Sequence, residues 1–125
     1  MHKIKTKIWD REFSLNVFYQ TFDNEETGKK QVTAFSNFIN AENEIKKSKE
    51  KVIAYIEKYY AENLDEEKIT NIFRYVIPKE IYVPENQETP TVAILCDFKF
   101  DMEHGIAVIF KNEKCVDVSS QDEIL

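Results

Sequence analysis

The sequence predicts an α+β domain built on a mostly antiparallel sheet with two or three helices packed on one face. Three observations lead there. Apolar residues alternate with period two near both ends of the chain, and they recur at helical spacing across its middle. Only two glycines and three prolines occur among 125 residues, so long linkers and low-complexity tails are not expected. The length suits a single domain over 1–125. At 42% hydrophobic and 13% aromatic, the chain is expected to build one core rather than stay disordered.

Lys3-Ile4-Lys5-Thr6-Lys7-Ile8 alternates in the manner of a half-exposed strand, and its lysines suit a sheet edge. After Asp10-Arg11-Glu12 a second strand is expected from Phe13 to Phe22, with Phe13, Leu15, Val17 and Tyr19 on one face; the two pair as a hairpin. Asp23 to Gly28 reads as a loop. Val32, Phe35, Phe38 and Ile39 favour a short helix, although Val, Thr and Phe also suit a strand. Asn40 is the expected N-cap of the next helix, whose stripe is Ile45, Val52, Ile56 and Tyr59. A further helix is expected from Leu64-Asp65, with Leu64 and Ile69 stapling its first turn, Ile72, Phe73 and Val76 buried, and Pro78 ending it.

The final third is strand-rich. Ile81-Tyr82-Val83 forms a short strand, and Glu85 to Pro90 a loop. In the next strand, Thr91 to Phe100, Val92, Ile94, Cys96, Phe98 and Phe100 face one way and Asp97 and Lys99 the other. Asp101-Met102-Glu103-His104-Gly105 turns the chain into the apolar run Ile106 to Phe110, a strand buried on both faces. A tight turn at Asn112-Glu113 leads into Cys115-Val116-Asp117-Val118.

The net charge of −6 is unevenly spread: residues 1–84 carry 14 acidic and 14 basic side chains, residues 85–125 nine and three. Direct nucleic-acid binding needs a basic face, so the imbalance points instead to a basic protein partner, or only to solubility. No apolar run is long enough to span a bilayer, and no signal-peptide core follows the basic N-terminus, so a cytoplasmic setting is expected. Cys96 and Cys115 lie in apolar strands and are expected as free thiols.

Candidate chemistry centres on Asp97, Asp101, Glu103 and His104. Such a set can hold a divalent metal or move protons, but one internal His is few ligands for a transition metal. The other reading is a structural turn of Asp101, Glu103, His104 and Gly105, with the carboxylate satisfying backbone groups and the glycine supplying a permissive φ. A Cys96–His104 nucleophile pair is disfavoured because Cys96 falls on the apolar face. Neither a phosphate loop nor a dinucleotide fingerprint occurs, so no catalytic residue, metal or cofactor is assigned. Tyr55, Tyr59, Tyr60, Phe73 and Tyr75 read as core or partly buried packing, although tyrosine also suits interfaces, and Trp9 reads as core with the same ambiguity. Candidate partner-binding acids fall in three groups: Asp23, Glu25 and Glu26; Glu62, Asp65, Glu66 and Glu67; and Asp117, Asp122 and Glu123.

From Phe98 to Phe110 the run F-K-F-D-M-E-H-G-I-A-V-I-F resembles a group of small bacterial domains of unknown function. These carry a D-x-E-H-G turn and a terminal Q-D pair, here Gln121-Asp122. The Trp9 strand, the helix ending in Tyr59-Tyr60 and the Ile77-Pro78 break are also similar to that layout. The chain departs from the group in having Ser119-Ser120 where a glycine precedes the pair. The resemblance implies no enzymatic activity. It implies, for some members, an immunity role beside polymorphic or contact-dependent growth inhibition toxins. The expectation is therefore a non-enzymatic protein that neutralises a cognate toxin, such as a basic nuclease, by binding it. The alternative is a small enzyme or metal-binding module at the Asp101–His104 turn.

Overall fold

The computed structural model describes residues 2–21, 28–85 and 87–125. Its elements are β1 (His2–Ile8), β2 (Arg11–Tyr19), α1 (Lys29–Ile39), α2 (Glu42–Tyr59), β3 (Val76–Val83), β4 (Thr91–Phe98), β5 (Ile106–Lys111) and β6 (Lys114–Ser119). Short 3₁₀ turns occupy Ala61–Asn63, Ile72–Arg74 and Gln121–Glu123. The strands form one sheet in chain order, antiparallel throughout except where β2 pairs with β3. The α+β class and the mostly antiparallel sheet agree with the sequence.

Both two-residue hairpin loops, Trp9-Asp10 and Asn112-Glu113, hold positive φ at each position. That is the type I′ pattern, whose twist matches the flanking strands. Trp9 is a poor residue for this backbone. Its indole is nonetheless fixed: the ring is 2% exposed and Nε1 donates to Ser48 Oγ at 2.9 Å. This bond explains why a serine lies on the buried stripe of α2, which is Ile45, Ser48, Val52 and Ile56. Tyr59, expected on that stripe, is 62% exposed.

Other expectations fail locally. Asn40 does not cap α2; it ends α1, and its Nδ2 donates to Ser36 O, while Ala41 precedes α2. The buried face of α1 is Gln31, Ala34 and Phe38, with Val32 exposed. The helix expected from Leu64 to Val76 does not form. Ile69, Thr70, Asn71 and Ile72 are weak helix formers, and local side-chain bonds compete with the helical ladder. Asn71 Oδ1 accepts from Phe73 N–H, and Arg74 reaches back to Asp65 (3.2 Å) and Glu66 (3.0 Å). Pro78 therefore lies inside β3. It is tolerated because pairing with β2 begins only at Glu80 and the register with β4 shifts between Pro78 and Glu80.

The main core joins residues of both helices (Ala34, Phe38, Ile45, Val52 and Ile56) to alternate strand positions such as Leu15, Ile81, Ile94, Val108 and Phe110. Phe38 meets Phe110 edge-on at 5.0 Å. The other strand positions form a second cluster of Tyr82, Ala93, Leu95, Ala107 and Ile109, with Ile124 against it. Residues Ile106 to Phe110 are buried throughout, as expected for a strand covered on both sides. The edges carry charge. Lys3, Lys5 and Lys7 are exposed on β1. On β6, Lys51 Nζ donates to Cys115 O (2.7 Å), and Val118 N–H donates to the neighbouring Asp117 Oδ1 (2.9 Å).

Gln31 joins α1 to the parallel pair. Its Nε2 donates to Gln20 O (2.8 Å), Val83 O (3.2 Å) and Pro84 O (3.3 Å), and its Oε1 accepts from Gly28 N–H (3.0 Å). Gln31→Leu strands these buried groups and is expected to cost about 1–3 kcal/mol in urea denaturation. Val32→Ala, on the exposed face, should change stability by less than about 0.5 kcal/mol.

Candidate functional site

The sequence singled out the Asp101–Gly105 turn, and the structure shows where its polar groups go. Asp101 Oδ1 accepts from His104 N–H (3.2 Å), and Asp101 O from Gly105 N–H (2.8 Å). His104 Nδ1 lies 3.1 Å from both carboxylate oxygens of Asp101. The other ring nitrogen, Nε2, is 3.6 Å from Asp122 Oδ2. The terminal pair closes over the turn: Gln121 N–H donates to His104 O (3.1 Å) and Gln121 Nε2 to Cys96 O (3.0 Å).

Gly105 is required at this crossing. Its φ is +61°, and a Cβ there would lie 2.5 Å from Cys96 O and from Gln121 Nε2. Ser120, just before the Gln121-Asp122 pair, has an extended backbone (φ −70°, ψ 158°) that needs no glycine. The hydrogen bond from Asp101, its charge and that of Asp122 raise the His104 pKa above 6.5.

The chemistry weighed from sequence is thus placed. Asp101 and His104 face one another, Glu103 is exposed, and Asp97 pairs with Lys79 (3.8 Å). No group of three or more His, Cys, Asp or Glu among the described residues is arranged to hold a metal ion. Cys96 and Cys115 are free and buried, and burial pushes both thiols up.

The acidic groups fare differently. Asp23, Glu25 and Glu26 lie outside the described residues. Asp65 and Glu66 hold Arg74, and Glu66 also accepts from Tyr75 OH, which pushes that phenol up to about 12. Arg74 draws the Asp65 pKa down, and the Tyr75 hydroxyl does the same for Glu66. Glu62 and Glu67 are exposed. Asp117, Asp122 and Glu123 are also exposed, and they surround the turn and β6.

A cleft not evident from the sequence lies between the end of α2 and β6. It has a volume of about 330 Å³ and is lined by Tyr55, Tyr59, Asp117, Val118, Ser119, Ser120 and Glu123. The Tyr55 and Tyr59 rings meet at 5.2 Å, inclined 55°. Burial and the adjacent Tyr60 hydroxyl raise the Tyr55 pKa. Helical spacing marked both tyrosines as core or partly buried packing; Tyr55 is half-buried against the core, whereas Tyr59 is exposed.

A family model for a domain of unknown function (DUF6985) matches residues 2–125, and the chain belongs to that family. Neither the curated proteins nor the solved structures contain a match. Among the described residues no helix is long and apolar enough to cross a membrane.

Two outcomes are expected from the turn. Gly105→Ala should destabilise the fold by about 1–3 kcal/mol, or more where Gln121 cannot move aside. The His104 contribution has the sign of a raised pKa: it is fully present below pH 6.5 and is lost as pH rises through the elevated folded value. His104→Gln should remove that slope from stability measured against pH.

Proposed function

We propose that this chain is a non-enzymatic binding protein for a basic protein domain. At its most specific, the proposal is a cytoplasmic immunity protein that neutralises a toxin of a polymorphic or contact-dependent growth inhibition system by covering it. A basic nuclease is the toxin class that suits the charge. The observation that carries the reading is the exposed acidic surface where the Asp101–Gly105 turn, β6 and the C-terminal 3₁₀ turn meet. Glu103, Asp117 and Glu123 make no ion pair among the described residues. Their field stays available to steer and hold a cationic surface. This junction is the surface that the reading assigns to a partner. The mutual engagement of Asp101 and His104 favours a structural part for the turn over catalysis.

The test pairs this protein with the product of its neighbouring gene, which the proposal expects to be a toxin domain. A one-to-one complex that protects cells from growth arrest is expected, with an association rate falling about tenfold from low to physiological salt. Neither complex nor protection, together with a bound metal ion lost on His104→Ala, would overturn the proposal in favour of a metal-binding module at Asp101–His104.

A further inference from the structure

We propose that the cleft between α2 and β6 is a guanidinium site, which takes an arginine side chain of the basic partner. This rests on the binding role above and adds the chemistry of the anchor.

Two features independent of one another converge there. The first is aromatic. Tyr59 is 62% exposed, an unusual position for a ring that continues the apolar spacing of α2, and Tyr55 lies beside it. The faces of such rings attract cations through their quadrupole, and tyrosine is a frequent anchor at protein interfaces. The chain's own Lys58 already shows the attraction, its Nζ standing 5.1 Å over the Tyr59 ring. The second feature is the rim. Asp117 on β6 and Glu123 in the C-terminal turn line the same cleft, with Ser119 and Ser120 between them. Of the other cations near β6, Lys51 is held by Cys115 O, and Lys111 and Lys114 lie at the hairpin end of the strand.

This combination selects arginine over lysine. A guanidinium is planar, so it stacks on a tyrosine face while its N–H groups, directed outward in its plane, reach carboxylates and hydroxyls at the rim. An ammonium is a compact, strongly hydrated point charge and cannot do both at once. Lys58 is then an internal competitor that an incoming arginine displaces. A neutral ligand of the same shape would gain the stacking but not the carboxylates.

The experiment follows tyrosine-ring and backbone-amide NMR signals of the whole chain. The probe is a short capped glycine–serine peptide bearing two arginines, and the control is the same peptide with citrulline in their place. Saturable shifts at the Tyr55 and Tyr59 rings and the Ser119 and Ser120 amides are expected with arginine and not with citrulline. Asp117→Asn combined with Glu123→Gln should weaken binding by about tenfold. Tyr59→Leu, which keeps an apolar group at an exposed site, should also weaken it, and Lys58→Gln should strengthen it. Equal shifts with citrulline, or arginine-induced shifts that leave both rings unmoved, overturn the inference. The same variants measured against the toxin domain separate the two proposals. A toxin complex indifferent to them removes the cleft and leaves the binding role, whereas arginine seated in the cleft with no toxin complex does the reverse.

Discussion

Two antiparallel parts of the sheet meet along the parallel pairing of β2 with β3, from Asn16–Glu80 to Tyr19–Val83, and the rest of the fold is arranged around that seam. A parallel pair cannot be closed by a tight turn, so a long crossover is obligatory. Here it includes both helices and the irregular stretch after them. Gln31 clips the end of the seam from the first helix of that crossover, alongside the Gln20 N–H to Val83 O bond (2.9 Å). A buried amide is costly unless satisfied, which makes Gln31 a positional requirement rather than a tolerated polar residue. The seam also gives β3 partners on both sides and so defines the plane against which the crossover packs.

The elements most legible in the sequence were those whose pattern and environment agreed. β5 runs apolar without interruption and is buried as that pattern requires, while β4, whose alternation marked one inward face, is buried on both. The β1–β2 and β5–β6 hairpins and the body of α2 were equally clear. Misreadings arose where a particular side-chain bond decided the outcome. Ser48 is inside because Trp9 donates to it, and Gln31 because the seam needs it. Residues 64–76 have helical spacing but a backbone governed by Arg74 and Asn71, so periodicity was a poor guide there. The turn at Asp101 was visible as a structural unit. The cleft was not, because Tyr55 and Tyr59 are remote in sequence from Asp117 and Glu123.

The Asp101–Gly105 turn and the Gln121-Asp122 pair are parts of one interlocked contact. Gln121 crosses Gly105, and Asp122 reaches His104. Demands of the fold are enough to account for these residue types at these positions: an αL glycine, a carboxylate that caps a turn, and an amide that satisfies a strand carbonyl. The exposed residues beside them are under no such demand. The Glu123 side chain and the exposed Tyr59 ring can change without disturbing the sheet, whereas Asp117 also occupies the Val118 amide.

The charged edges of the sheet bear on how any partner can engage it. Many proteins recognise one another by strand addition, lending an unpaired edge to a foreign segment that continues the ladder. On β6 the Cys115 carbonyl is taken by Lys51 and the Val118 amide by Asp117, while lysines line β1. Continuation of the ladder is thereby obstructed at both margins. A protein that met this sheet would therefore engage it through side chains rather than by adding a strand.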